Sequence, residues 1–288
     1  MINVKTFGFL VSTFLGLCFS GQAIAVDTAV TDAKGIKTQV ANFKSHYHVN
    51  CKGIFYYMSV ATEKDFYWDF LPIDTGDYII RIPFSIITKI KVEEQTDPKN
   101  TWRKYYIYSL FLSDDTEVKG IPNRVTEFTG SAELGKFTIL TKGVAEIIFK
   151  HEPRLNFNAT PKGTHSAILV FSDNSQLQLR GASFISETKN KNGCYLREGY
   201  PTHMQFATGA SEYTISWEKI SEIVYIQSEK TSSDSSKAEF KLVTKSESEY
   251  VGSANNLIGI EGIIKIGNYN LRIIVPFTSK AKKLKLLN

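Results

Sequence analysis

Cysteine is nearly missing from this chain: only Cys18, Cys51 and Cys194 occur in 288 residues. Thiols so widely spaced exclude a Cys-x-x-Cys redox or zinc motif, and they exclude the disulfide framework that staples small secreted domains. Charge of one sign is lacking too. The 34 basic residues are nearly matched by 29 acidic ones, which excludes the dense basic face of a nucleic-acid binder. After the N-terminus no apolar run approaches the roughly 20 residues of a spanning helix. Nucleophile elbows, phosphate-cradling glycine loops and zinc-protease helices are likewise missing. No cofactor is therefore expected, and the balance leans away from catalysis.

What is present begins with an export signal. Lys5 precedes an apolar run from Phe7 to Phe19, and Ala23-Ile24-Ala25 follows with the small-x-small spacing of a signal-peptidase site. Residues 1–25 are predicted to be cleaved before Val26, since a run of about 13 residues is too short for an anchor. Removing them leaves 33 basic against 29 acidic residues, a net charge of +4. The expected destination is a periplasm or the exterior. Cys51 and Cys194 then form an even pair in an oxidising compartment, which makes them candidates for one disulfide, with two separate thiols as the alternative.

Helical periodicity is scarce, whereas short runs of β-branched and aromatic residues bounded by polar turns recur throughout. Tyr105–Leu112, Ser113-Asp114-Asp115-Thr116 and Glu117–Gly120 read as strand, turn, strand, and Ala167–Leu179 reads alike. Asp and Asn suit those turns because they tolerate left-handed backbone angles. Aliphatic trios repeat as Ile82, Ile87, Ile90; Ile139, Val144, Ile147; Ile215, Ile220, Ile223; and Val275, Ala281, Leu284. Gly120, Gly130 and Gly135 fall on Gly252, Gly262 and Gly267 at a constant offset of 132. The expected fold is all-β and internally duplicated. A leader (26–43) precedes a first half (44–149), a linker (150–163) and a second half (164–288), each half holding two small barrel- or sandwich-like units. Glu93–Lys104 and Ser228–Lys237 are read as polar insertions at corresponding places.

The hairpin Leu112–Gly120, with Gly130, Leu134–Ile139 and Ile147–Phe149 after it, resembles small tandem β modules of uncharacterised exported bacterial proteins. It is similar, more distantly, to SH3-type and Sm-type barrels. That resemblance implies a fold and no activity.

Asp65–Phe70 alternates, placing Phe66, Trp68 and Phe70 on one face and Asp65, Tyr67 and Asp69 on the other. About 13 Å of strand separates the two outer carboxylates, too far for a glycosidase pair. The aromatic row is either core or a sugar-stacking platform. With Trp102 and several tyrosines also in the first half, a ligand surface is best sought there. Lys282, Lys283 and Lys285 alternate with aliphatics near the C-terminus, as an edge strand protected by charge or as a contact for anionic surfaces. His46 and His48 share one side of a strand about 7 Å apart, a weak metal pair because a closed zinc site needs about four ligands.

The functional expectation is a non-catalytic exported binding or scaffolding protein of the bacterial envelope or secretome, with a protein or polysaccharide partner and no nucleic acid. The alternatives are an envelope hydrolase or metal-dependent enzyme with a dispersed site, for which His46, His48 and His203 are the first substitutions, and a structural subunit that assembles through strand edges.

Overall fold

The computed structural model describes residues 27–47, 66–97, 100–152, 154, 157–186, 188, 189, 195, 196, 202–226, 239–254, 257–277 and 281–287. The predicted signal peptide, His48, Cys51, Cys194 and the serine-rich stretch Ser228–Lys237 lie outside them. The protein is all-β; among the described residues its helical segments are the 3-10 turns Phe84–Ile86, Thr141–Gly143 and Trp217–Lys219.

A first set of strands comprises β1 (Thr28–Asp32), β2 (Lys37–Tyr47), β3 (Phe66–Trp68), β4 (Phe70–Asp74), β5 (Ile79–Pro83), β6 (Ile87–Asp97), β7 (Asn100–Leu112), β8 (Glu117–Pro122), β9 (Val125–Ala132), β10 (Gly135–Leu140) and β11 (Val144–Phe149). A second comprises β12 (His165–Phe171), β13 (Gln176–Ser186), β14 (Thr188–Lys189), β15 (Tyr195–Leu196), β16 (His203–Thr208), β17 (Ser211–Ser216), β18 (Ile220–Ile226), β19 (Glu239–Thr244), β20 (Glu249–Ala254), β21 (Leu257–Ile266), β22 (Tyr269–Pro276) and β23 (Ala281–Leu287). Residues 28–43, expected to precede the folded part, supply β1 and most of β2. Thr28, Ala29, Val30, Val40 and Phe43 are buried there. The stretch expected as a polar insertion at Glu93–Lys104 is instead the outer part of the β6–β7 hairpin, where Glu94 faces Tyr106 and Asp97 faces Asn100.

In the first set the antiparallel ladder runs β2–β1–β11–β6–β7–β8–β4. Because β3 leads into β4 across Asp69 and pairs with β2, the path returns on itself as a small barrel. A branch, β2–β9–β10, leaves from the other edge of β2.

The second set pairs in the same pattern. β12–β13, β12–β23, β18–β23, β18–β19, β19–β20, β16–β20, β16–β17, β13–β21 and β21–β22 follow β1–β2, β1–β11, β6–β11, β6–β7, β7–β8, β4–β8, β4–β5, β2–β9 and β9–β10. Backbone details recur as well. The bulge in β2 carries Asn42 at φ 53°, and the matching bulge in β13 carries Gly181 at φ 57°. The Phe84 N–H donates to the Asp69 carbonyl, and the Trp217 N–H to that of Thr202.

Two glycine pairs have a packing reason. A Cβ on Gly120 would strike the Asp74 carbonyl and Ile73, and one on Gly252 would strike the Ala207 carbonyl and Phe206. Gly130 lies against Val40 and Gly262 against Leu179 in the same way. Gly135 and Gly267 differ: Gly135 follows the Glu133-Leu134 turn, whereas Gly267 belongs to the Gly267-Asn268 turn of a longer hairpin.

The first three aliphatic trios flank the 3-10 turns, and Ile82, Ile87, Ile90, Val144, Ile147, Ile220, Ile223, Val275, Ala281 and Leu284 are buried. Each fully buried aliphatic side chain contributes about 1.5–3 kcal/mol, before the entropy of ordering it.

Among the described strands one ladder joins the two sets. In it β5 pairs with β22, with Arg81 opposite Arg272, Ile80 opposite Ile273 and Ile79 opposite Ile274. The β7–β8 turn reinforces it: the Asn268 N–H donates to Asp114 at 2.6 Å, and the Ser113 and Tyr269 hydroxyls are 2.6 Å apart. The connection between the sets lies on β22, where Asn158 bridges to Asn270 and the Thr160 carbonyl accepts from Arg272 at 2.8 Å.

Candidate binding surfaces

Residues two apart on a strand share a face, and β3 and β4 place Trp68 and Phe70 together. Their rings are stacked with centroids 4.8 Å apart and planes 13° apart. The Arg81 guanidinium lies 5.6 Å from the Phe70 centroid, within cation–π range. Trp68 and Phe70 are both half-buried, on the face away from the core residues Leu71 and Ile73. Phe66 opens β3 opposite Tyr47.

Cationic groups continue from Arg81 across the joint. Arg272 faces it and places Nε 3.0 Å from the Glu261 carboxylate, and Lys162 Nζ is 3.7 Å from the same group. Glu261 is 4% exposed, so its charge requires such partners. Burial lowers the Lys162 pKa; Glu261 acts in the opposite sense, while Arg272 and Arg81 push it further down. The site thus concentrates positive charge around one buried carboxylate, beside an aromatic stack.

A cavity of about 540 Å³ adjoins Lys162, a size suited to a small ligand. His165, Ser183, His203 and Glu218 contribute polar groups to it, and the stacked rings of Phe184 and Trp217, their planes 7° apart, form its apolar wall. His203 Nδ1 is 2.7 Å from the Thr202 hydroxyl.

The remaining predicted residues are dispersed. Trp102, 95% exposed, sits near the end of the β6–β7 hairpin. There the Lys104 ammonium and the Tyr106 hydroxyl both bind Glu94 and hold its carboxyl below the usual range. The lysine-bearing strand β23 is not an edge: it pairs with β12 on one side and β18 on the other. The alternation that looked like edge protection instead puts cations on the outer face of an interior strand. Lys283 pairs with Glu222 at 2.6 Å, Lys282 donates to the Ser172 carbonyl at 2.9 Å, and Lys285 is exposed. His46 is buried, with Nδ1 2.9 Å from Glu127, the residue opposite it on β9. Among the described residues no group of three His, Cys, Asp or Glu is arranged to hold a metal, and no helix is long and apolar enough to cross a membrane.

Arg81, Arg272, Lys162 and Glu261 escaped the sequence reading because strands far apart in the chain bring them together. One signal was available: Glu261 interrupts the apolar run Leu257–Ile266, where a carboxylate calls for a partner. Comparison with known proteins finds no matching family model, curated protein or solved structure.

Proposed function

We propose that this is a non-catalytic, exported binding protein of the bacterial envelope or secretome, built on one strand path used twice, and that its partner is an acidic polysaccharide. The observation that carries the reading is the stack of Trp68 on Phe70 with Arg81 at its end. Aromatic faces suit the C–H faces of sugar rings, and a guanidinium forms paired hydrogen bonds with a uronate carboxylate. Arg272 and Lys162 extend the positive field along the same face, which favours an anionic over a neutral chain. The N-terminal export signal supports a location where such polymers occur.

The test is titration calorimetry of the processed chain with polygalacturonate and, separately, a neutral glucan, at low and high salt. Polygalacturonate is expected to bind and to weaken with salt. Trp68→Ala is expected to lose roughly tenfold in affinity, equivalent to about 1.4 kcal/mol. Unchanged affinity in that variant, or equal binding of the neutral glucan, overturns the reading.

A further inference from the structure

The β5–β22 joint uses one edge from each set of strands, and the corresponding edge on the other set is left over. β5 corresponds to β17, the partner of β16; β22 corresponds to β10, the partner of β9. Among the described strands, β17 pairs only with β16 and β10 only with β9. The molecule therefore carries, at two separate places, both halves of the joint it already makes internally.

The surface beside β17 has the shape of an unfilled joint. A groove of about 450 Å³ is lined by Tyr213, Ile215, Thr244, Lys245, Ser246 and Tyr250. Their counterparts beside β5 include Ile80, Ile82, Leu112 and Val118, all at most 6% exposed. Strand β22 and Tyr269, whose hydroxyl meets Ser113, pack there. The β9–β10 turn presents Leu134, 101% exposed, at the place corresponding to the β21–β22 turn that contacts Asp114.

We propose that β17 of one copy pairs antiparallel with β10 of the next, repeating the β5–β22 joint between chains and assembling the protein head to tail. Transferring the internal register sets Tyr213 opposite Phe137, Thr214 opposite Lys136 and Glu212 opposite Thr138. Tyr213 and Phe137, part-exposed at present, cover each other as an aromatic cross-strand pair. Glu212 and Lys136, both exposed, become diagonal neighbours of opposite charge. Leu134 enters the groove. The contact is heterologous, so it propagates until a ring closes or continues as a filament.

Sedimentation velocity of the processed chain over a concentration series tests the assembly. Species larger than one chain are expected to grow with concentration; a monomer at every concentration up to the solubility limit overturns the proposal. Leu134→Glu blocks one end and Tyr213→Glu the other, and each alone is expected to be monomeric with an unchanged circular-dichroism spectrum. Mixing the two leaves one intact edge on each chain and is expected to yield a discrete dimer. No dimer on mixing, or larger species from either variant alone, overturns it. Should a variant misfold, Phe137→Cys mixed with Tyr213→Cys gives a second readout: a 137–213 disulfide located by peptide mass spectrometry, whose absence counts against the register. The inference stands on strand edges, not on the ligand. A monomer that still binds polygalacturonate removes the assembly and leaves the binding reading in place.

Discussion

The two strand sets follow one path yet fill it with different side chains. Phe43, just after the left-handed bulge residue of β2, packs its ring 5.3 Å from Phe84 and 5.2 Å from Phe128. At the corresponding places the second set has Ala182, Trp217 and Ile260, and it carries Phe184 opposite Ile260 where the first set has Ser45 opposite Phe128. The aromatic bulk has moved two residues along the strand and changed from an edge contact to a stack on Trp217. Bulge, 3-10 turn and close glycine approach persist while the packing does not, so backbone geometry defines the path and the core adapts to it.

That comparison breaks or sharpens under substitution, beginning with the largest expected effect. Phe43→Ala should destabilise by about 3–5 kcal/mol in urea unfolding, since the site is fully enclosed. The reciprocal Ala182→Phe should cost about 1–3 kcal/mol by overpacking. Near-neutrality of both would mean that the two cores are interchangeable. Gly252→Ala follows, at about 1–3 kcal/mol, because its new methyl group meets the Ala207 carbonyl. Gly120→Ala should behave alike, and a large difference between them would separate the two β-strand approaches. Gly181→Ala should cost about 1–2 kcal/mol for its left-handed backbone, whereas Asn42→Gly at the equivalent bulge should change little.

The smallest effect is in pH. Burial at the joint raises the Asp114 pKa, but N–H donors from Asn268 and Thr116 and the Thr116 hydroxyl outweigh it, leaving the carboxyl below its usual range. A folded-state pKa below the unfolded one contributes stability above the ordinary carboxyl range and loses it as pH falls through the folded value. Asp114→Asn should therefore lower stability modestly at neutral pH and flatten the acid side of the profile, the variant and the parent converging as pH falls through the folded-state value, as read by thermal unfolding across a pH series.

The all-β class was legible because strands of alternating residues leave a two-residue period in the sequence. The glycine spacing was informative where Gly120 and Gly252, or Gly130 and Gly262, meet neighbouring strands, and it misled at Gly135 and Gly267, where the hairpins differ in length. β1 was missed because Thr28–Asp32 is short and begins beside the predicted export segment, with too few residues to show alternation. The interior position of β23 could not be read from Lys282–Lys285, because pairing partners lie more than fifty residues away. Trp68 beside Phe70 followed from strand geometry alone. The Arg81–Arg272 pairing depended on the joint between sets and had no local trace.

The connection between the sets, whose Asn158 and Thr160 lie against β22, has a consequence for dilution. It tethers two docking partners at an effective concentration on the order of millimolar, so their association within one chain is independent of how much protein is present. Any like contact between separate chains obeys mass action instead. The tether thereby distinguishes a permanent seam from one that responds to abundance.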